Sequence, residues 1–435
     1  EKAVAQLLER GLAYRDYATP EETNAEREVA QRSKERFIYS RRWMAETETE
    51  AAAFERDGRR AVVRLKMPRE GRCEFDDVVR GYVQFEWGLE QDHVIRRADG
   101  SYLYHLASTV DDHDFEVTHV IRAVEHLSNT PRQIFIAQGL NYDLPRYAHL
   151  PYVAEPGSSN KLSKRKLAKY LKHDEFKKVY SHAADIMTTL GVSIDPESFN
   201  PVLVDFYQRV GYRPEALVNY LLLLGWSLDD RTEHFTRDEM VKLFTLERIN
   251  QSPASFDPQK MMAFEERWMR ALPLDEKVVV VAPFLTRLGL LSPTLSSEEN
   301  ARVRAVVVAA GDRLKVAADI VNYAEFFLDD SAFPYDPKAF SKRLQSEGSA
   351  ERLLAFRNVL ESLNQFDAET IEAGMHDFVA TNGFKISAII HAVRIAVTGK
   401  AVGFGLFEAM AVLGRNACLV RIDRALALAN NKDTP

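Results

Sequence analysis

Apolar and polar residues alternate through much of residues 60–110, which is the pattern of strands with one buried face. Strands are predicted at 62–65, 81–87, 94–97 and 102–106. The last two flank Asp99-Gly100, a dipeptide that favours a tight turn between paired strands. We therefore expect a β-hairpin at this point of the chain.

A helix is predicted to begin at Thr130, because Thr130-Pro131-Arg132-Gln133 combines the spacing of a capping box with proline at the first helical position. Gly139 is predicted to close this helix. The resulting alternation of strand, turn and helix indicates α/β structure.

Beyond Lys161 the strand signals fade and the signals for helix ends recur, which indicates an all-α region. Helices are predicted at 214–224 before Gly225, at 236–249 with a Thr-x-x-Glu box, and at 258–272 after Asp257 as N-cap. Residues 278–281 have strand propensity, but their surroundings favour a helix. The charged segment 26–60 is predicted to present a solvated helical face.

Length, hydrophobic content, cysteine count and net charge limit the classes of protein to which the chain can belong. With 435 residues, 46% of them hydrophobic, the chain is long enough for two to four domains. No apolar run approaches the roughly 20 residues that cross a bilayer, so we expect no contact with membranes. The two cysteines, Cys73 and Cys418, form no framework for disulfides or zinc and fit a reducing cytoplasm. A net charge of −7 still permits a local basic surface for nucleic acid.

The most informative local feature is the loop at 156–166, Pro-Gly-Ser-Ser-Asn-Lys-Leu-Ser-Lys-Arg-Lys. Its small residues allow flexibility, and its lysines are compact charges on long stems, suited to stabilising phosphate oxygens. Such a loop can close over a nucleotide and reopen. On composition alone, a solvated basic turn is the simpler interpretation.

The match of Lys161 to Arg165 with a known motif favours the phosphate site. Lys-Leu-Ser-Lys-Arg resembles the second signature of class I aminoacyl-tRNA synthetases, in the form typical of glutamyl-tRNA synthetases. The chain from Tyr102 to Pro151 also resembles the block that precedes this signature in that family, through Tyr-Leu-Tyr-His-Leu-Ala, Val-Asp-Asp-His-Asp, Thr-His-Val-Ile-Arg-Ala-Val-Glu-His-Leu, Ser-Asn-Thr-Pro-Arg-Gln and Ala-His-Leu-Pro.

The resemblance implies roles for individual residues. Tyr104 would form a wall of the amino-acid pocket and Arg122 would bind the glutamate carboxylate, since a planar guanidinium suits a carboxylate. Glu125 would hold hydroxyl groups of the substrate or of adenosine. The catalytic residues would be Lys161 and Lys164, which with Ser163 and Glu125 would bind ATP, accompanied by Mg²⁺.

Two departures from the family pattern concern this pocket. Tyr102-Leu103 replaces the usual Pro-Thr before the tyrosine, and Val124-Glu125 replaces the common Glu-Glu after the arginine. Some relatives bind zinc through cysteines in the connecting insertion, but the matching stretch at 14–18 has none, so we expect no zinc.

Histidine and aspartate clusters offer competing interpretations. His113, His119 and His126 lack the spacing of helical or finger-type metal ligands, so we expect no metal site here. Asp111 and Asp112 could be catalytic carboxylates, but adjacent residues at a strand end point apart, which equally suits a cap or turn.

RNA contacts are predicted after the signature loop. Between Lys161 and Lys178, Lys and Arg residues far outnumber the two acids, a pattern that can follow a phosphate backbone, although a solvated helix face is equally consistent. The predicted RNA-binding residues are Arg165, Lys166, Lys169 and Lys172. The runs at 212–226 and 396–415 resemble the helical linker and the anticodon-binding domain of glutamyl-tRNA synthetases.

These patterns predict a multidomain α/β plus all-α protein with part of a Rossmann-type catalytic domain. The predicted domains are a connecting, acceptor-stem-binding insertion (1–100), the second half of the catalytic domain (101–155), the signature loop with a stem-contact helical domain (156–240), and a helical anticodon-binding region (241–435). No His-x-Gly-His signature occurs in the chain. We therefore expect that a preceding segment completes the ATP site and that this chain alone is inactive.

The predicted function is glutamate–tRNA ligation, with ATP, glutamate and the glutamate tRNA as partners of a cytoplasmic monomer. A non-catalytic tRNA-binding remnant and a glutaminyl-tRNA synthetase remain alternatives. The sequence leaves open whether the glutamine tRNA is also charged.

Overall fold

The computed structural model describes residues 1–195, 198–331 and 333–430. The chain forms two compact units, the first containing Glu1–Lys161 and Leu222–Ser255, the second Leu162–Leu221 and the chain from Phe256 onward. Every strand in the described residues belongs to the first unit, whereas the second is described by helices. The predicted combination of α/β and all-α structure is therefore confirmed, while the boundaries between the four predicted domains remain predictions.

The first unit contains ten strands and its own helices. The strands are β1 (Ala13–Asp16), β2 (Met44–Ala45), β3 (Val62–Leu65), β4 (Arg72–Asp77), β5 (Gly81–Glu86), β6 (Val94–Arg96), β7 (His119–Ala123), β8 (Arg146–Leu150), β9 (Val153–Ala154) and β10 (Ala254–Ser255). The helices are α1 (Lys2–Glu9), α2 (Pro20–Arg32), α3 (Glu48–Arg56), α4 (Tyr104–Asp114), α5 (Thr130–Leu140) and Arg237–Leu243.

One sheet has the antiparallel order β2-β1-β3-β6, and two buried carboxylates lie in β1 (Asp16) and just before β6 (Asp92). Arg64 donates to Asp16 at 2.6 Å, and Arg41 donates to Asp92 at 2.6 Å. Tyr39 also donates its hydroxyl to Asp16 at 2.6 Å. Because a buried carboxylate is costly without partners, these contacts fix the segment 39–41 onto the sheet.

The second sheet, of order β5-β4-β8-β7, contains a βαβ unit, in which α5 connects the parallel strands β7 and β8. Helix α1 packs on α5 through Gly139, where a Cβ atom would lie 2.8 Å from the Leu7 side chain and 2.9 Å from that of Leu12. Glycine at 139 therefore serves close packing.

Two local predictions in this unit are wrong, the strand at 102–106 and the helix end at Gly139. The strand predicted at 102–106 is the start of α4, and only Tyr102 forms a bridge, to Arg96. Leu103, Leu106 and Val110 recur at helical rather than strand spacing, and Leu106 is buried. Gly139 lies inside α5, which ends instead at Asn141 in the left-handed conformation (φ 59°).

The capping box predicted at Thr130 does not form. Asn129 is the N-cap of α5, without a side-chain cap bond, and Thr130 is the first helical residue. Strand β4 was missed because its exposed face carries Arg72, Glu74 and Asp76, and because a carboxylate, Asp77, ends its buried face.

The second unit is built from helices, and those from Pro337 onward surround one apolar core. They span Leu167–Tyr170, Asp174–Thr189, Val204–Val210, Pro258–Ala271, Leu274–Arg287, Ser297–Ala310, Pro337–Leu344, Ser349–Ser362, Ala368–Thr381, Ile390–Thr398, Leu406–Leu413 and Arg415–Asn430, with Pro214–Leu223 running from the second unit into the first. The helices predicted at 214–224 and 258–272 are confirmed, as is the helical state of 278–281. The Thr236 capping box forms, but its helix ends at Leu243.

Both cysteines are buried thiols. Cys73 is 3% exposed and Cys418 is 0% exposed, and both are free. Burial raises the pKa of Cys73 to about 11 and raises the pKa of Cys418 well above its usual range. Both side chains are therefore unreactive thiols.

A buried glutamate in the second unit makes stability depend on pH. Glu265 is fully buried; one carboxyl oxygen accepts from the backbone N–H of Arg213 at 2.8 Å, and the other has no hydrogen-bond partner in the described residues. Burial raises the pKa of Glu265 to about 8, against 4.5 for an exposed glutamate. Between these values the folded chain holds a proton that the unfolded chain releases, so stability decreases as pH rises.

Glu265→Gln is expected to remove this pH dependence, because an amide is neutral throughout. Raising the pH from about 5.5 to about 8 should lower the free energy of unfolding of the unmodified protein by about 1 to 3 kcal/mol more than that of Glu265→Gln. Urea denaturation at both pH values measures this difference. The matched control is Glu266→Gln, which alters a neighbouring carboxylate paired with Lys315 at the surface. Parallel pH profiles for all three proteins would contradict the prediction.

Candidate active site

An arginine is fixed near the carboxyl end of β7. Val120 and Arg122 lie opposite Tyr147 and His149 of the parallel strand β8. The Arg122 Nε donates to His149 Nε2 at 3.0 Å, and its Nη2 donates to Thr130 Oγ1 at 2.9 Å, at the start of α5. The carboxyl end of parallel strands is where α/β folds usually bind ligands, and two neighbours hold Arg122 at this end.

Behind Arg122 lies a buried histidine–aspartate pair. His149 Nδ1 is 2.5 Å from Asp77 Oδ2, and both side chains are 0% exposed. Burial lowers the pKa of His149 despite the nearby Asp77 carboxylate. Burial alone would raise the pKa of Asp77, but hydrogen bonds from His149 and from backbone N–H groups outweigh it and lower that pKa. The pair is therefore a neutral imidazole against a carboxylate.

Three other predicted residues meet around His126. The Tyr104 ring, 52% exposed at the start of α4, has its centroid 6.5 Å from that of His126. Glu125 Oε1 lies 3.8 Å from His126 Nε2, and Lys161 Nζ donates to Glu125 Oε2. The hydrogen bond from Lys161 lowers the pKa of Glu125. Within the first unit, the first signature lysine thus contacts the segment that directly follows Arg122.

The rest of the signature belongs to the second unit. The Ser163 N–H donates to the Tyr170 hydroxyl at 2.9 Å, and Asn200 donates to the Lys164 carbonyl at 2.8 Å. The Lys164 side chain is exposed. The predicted RNA-binding side chains lie on or beside the short helices Lys164–Lys166 and Leu167–Tyr170: Arg165, Lys166, Lys169 and Lys172.

The histidines considered as metal ligands and the aspartates considered as catalytic carboxylates lie in different environments. The His113 ring stacks on Tyr142 at 3.6 Å, and His119 is on β7. The expected strand-end position of Asp111 and Asp112 is wrong, because both lie in α4; burial raises the pKa of Asp112. Across residues 1–195, 198–331 and 333–430, no group of three or more His, Cys, Asp or Glu side chains is arranged to hold a metal ion.

Three residues of this site had no predicted role. His149 and His126 both occur in the family motifs, and a polar histidine inside an α/β motif could have indicated a role at the site. The sequence contains no signal for Asp77, since its partner His149 is 72 residues away.

No helix in the described residues has the length and hydrophobicity needed to cross a membrane.

Comparison with known families assigns the two parts of the chain. The family described as tRNA synthetases class I (E and Q), catalytic domain, matches residues 1–192 and 199–263. The family described as anticodon binding domain matches residues 278–426.

Individual relatives agree with this assignment. The glutamate–tRNA ligase of Moorella thermoacetica is 34% identical over 424 residues, covering 98% of this chain and 79% of the relative. That of Nitratidesulfovibrio vulgaris is 36% identical over 426 residues, covering 98% and 81%. The crystal structure of a glutamate tRNA ligase from Elizabethkingia meningosepticum, in complex with its amino acid, has a TM-score of 0.78 at 24% identity, covers 98% of this chain and 81% of that one, and supports the fold.

The fold and the sequence families together define a class I aminoacyl-tRNA synthetase. The chain belongs to the E and Q family of these enzymes, alongside the glutamate–tRNA ligases named above.

Proposed function

We propose that this protein is a glutamate–tRNA ligase. An oxygen of the glutamate α-carboxylate attacks the α-phosphorus of ATP, and the bond to the bridging oxygen breaks to release pyrophosphate. A hydroxyl at the 3′ end of the tRNA then attacks the carbonyl carbon of the glutamyl-adenylate, and AMP leaves. The main support is the position of Arg122, fixed three residues before the Glu125 that contacts the signature residue Lys161.

Arg122 binds the side-chain carboxylate of glutamate in this proposal. Its Nε and Nη2 are engaged by the protein, and its Nη1 has no hydrogen-bond partner in the part of the chain that the structure describes. A fixed cation with free donors suits a carboxylate ligand. Tyr104, half-exposed at the start of α4, forms a wall of the same pocket.

Lys161 and Lys164 stabilise the phosphates of ATP, which binds as its magnesium complex. Ser163 contributes to the same loop, and Glu125 binds hydroxyl groups of the substrate or of adenosine. For this, Lys161 has to exchange Glu125 for a phosphate. The exchange costs little, because the two side chains are 58% and 47% exposed and solvent screens an exposed ion pair.

The tRNA is proposed to contact both parts of the chain. Arg165, Lys166, Lys169 and Lys172 contact its phosphate backbone, and the anticodon-binding domain at 278–426 binds unpaired bases by stacking and by hydrogen bonds to their edges. The specific partner is the glutamate tRNA, and the enzyme acts as a monomer in the cytoplasm.

Amino-acid selection provides the test. With the glutamate tRNA present, glutamate should support ATP–pyrophosphate exchange by the enzyme expressed from its full coding sequence. Glutamine should be at least about 100-fold less effective, because its amide has no charge and only one acceptor oxygen, where the carboxylate has two. Preference for glutamine would refute the assignment of the amino acid. Absence of exchange with either, despite tRNA binding, would favour a non-catalytic tRNA-binding protein.

A further inference from the structure

We propose that Asp77 and His149 are positioning residues that hold Arg122 ready for the amino-acid carboxylate by fixing one tautomer of the His149 ring. The inference rests on the proposed function, in which Arg122 binds glutamate. It adds two residues, far apart in sequence, to the determinants of amino-acid affinity.

The donors and acceptors determine the tautomer. An arginine Nε carries a hydrogen and can only donate, so His149 Nε2, at 3.0 Å from it, has to accept. The proton of a neutral imidazole must then lie on Nδ1. That nitrogen is 2.5 Å from Asp77 Oδ2, a carboxylate oxygen that can only accept. Each hydrogen bond in the series therefore requires the next.

Asp77 is a fixed end point for this series. Its Oδ1 accepts from the backbone N–H groups of Val79 and Arg80 at 3.0 and 2.9 Å, and from that of His149 at 3.1 Å. These three bonds tie the carboxylate to the end of β4 and to β8. The orientation of the His149 ring is thus set by backbone, through Asp77.

Thr130 supplies the second anchor for Arg122. Its Oγ1 accepts from Nη2 at 2.9 Å and lies 3.3 Å from His149 Nε2, whose one lone pair already accepts from the Arg122 Nε–H. Thr130 is 0% exposed. Arg122 is consequently held on two sides, and binding a ligand at Nη1 requires little loss of side-chain freedom.

Asp77→Asn tests the inference with minimal change of shape. If the asparagine amide group faces Nδ1, the ring proton moves to Nε2 and opposes the Arg122 Nε–H. If the amide is turned the other way, it opposes the backbone N–H groups of Val79 and Arg80. We expect the KM for glutamate to rise by about 10- to 100-fold, the usual effect of losing a residue that orients a ligand-binding group.

Comparing kcat with the KM values for glutamate and ATP distinguishes a loss of Arg122 positioning from a general loss of enzyme structure. A side-chain carboxylate remote from the reacting phosphorus is bound equally in ground and transition states, so kcat should stay within about 3-fold and the KM for ATP should not change. The matched control is His182→Gln, which removes the imidazole of another histidine–aspartate pair, 2.6 Å from Asp319 in the second unit. This variant should keep the KM for glutamate.

Two further measurements keep the inference testable if Asp77→Asn folds poorly. ¹⁵N NMR of the histidines, without substrate, should show His149 protonated at Nδ1; protonation at Nε2 would overturn the proposal even if the enzyme is active. His149→Gln retains an acceptor for Arg122 and should have a lower KM for glutamate than His149→Ala. Equal KM values would also overturn it. Failure of the unmodified enzyme to activate glutamate would instead refute the proposed function, whatever the tautomer.

Discussion

The Arg122→Ala enzyme is expected to lose about 100- to 1,000-fold in kcat/KM for glutamate, because the charge-assisted hydrogen bonding from Nη1 to the ligand carboxylate disappears. The loss should fall on the amino acid and spare the KM for ATP. Steady-state ATP–pyrophosphate exchange with varied glutamate and varied ATP measures both.

Two further variants test whether the loss of activity is specific to the Arg122 guanidinium. Arg122→Lys should recover little activity, since a lysine ammonium cannot reproduce the paired contacts of Nε and Nη2 with His149 and Thr130. Arg146→Ala removes an exposed arginine from the start of β8 and should behave as the unmodified enzyme. Equal losses for Arg122→Ala and Arg146→Ala would show that the effect is not specific to the site.

Lys164→Ala is expected to slow adenylate formation by about 100- to 1,000-fold, the usual effect of removing one group that stabilises transition-state charge. The affinity for tRNA should change little. Single-turnover formation of glutamyl-adenylate, together with filter binding of the tRNA, measures the two quantities separately.

Lys172→Ala is the complementary control, because Lys172 is proposed to contact RNA and not ATP. It should weaken tRNA binding, reduce the dependence of that binding on salt, and leave adenylate formation unchanged. If Lys164→Ala reduced tRNA binding as much as adenylate formation, its proposed role at the phosphates would be wrong.

Helices with clear end signals and the family signature motifs could be predicted from the sequence. The capping box at Thr236 and the N-cap Asp257 act within three residues of the helix start, so local sequence suffices to identify them. The signature lysines and Arg122 were identified for a different reason, since they stand in contiguous motifs.

The errors arose where tertiary contacts override local preference. Thr130 has the sequence context of a capping residue, yet its hydroxyl accepts from Arg122, which reaches it from β7. The turn predicted at Asp99-Gly100 forms, with Tyr102 opposite Arg96, but the second strand goes no further because the burial of Leu106 favours a helix where strand propensity is also high. The Asp77–His149 contact, between strands β4 and β8, has no local signal at all.

The burial of both native thiols has a practical consequence for following the enzyme in solution. Since Cys73 and Cys418 resist thiol reagents, cysteines introduced at Phe115 in the first unit and Val402 in the second, each 80% exposed, would take up a pair of fluorescent dyes selectively. Energy transfer between the dyes would then report the separation of the two units as nucleotide, amino acid and RNA are added in turn.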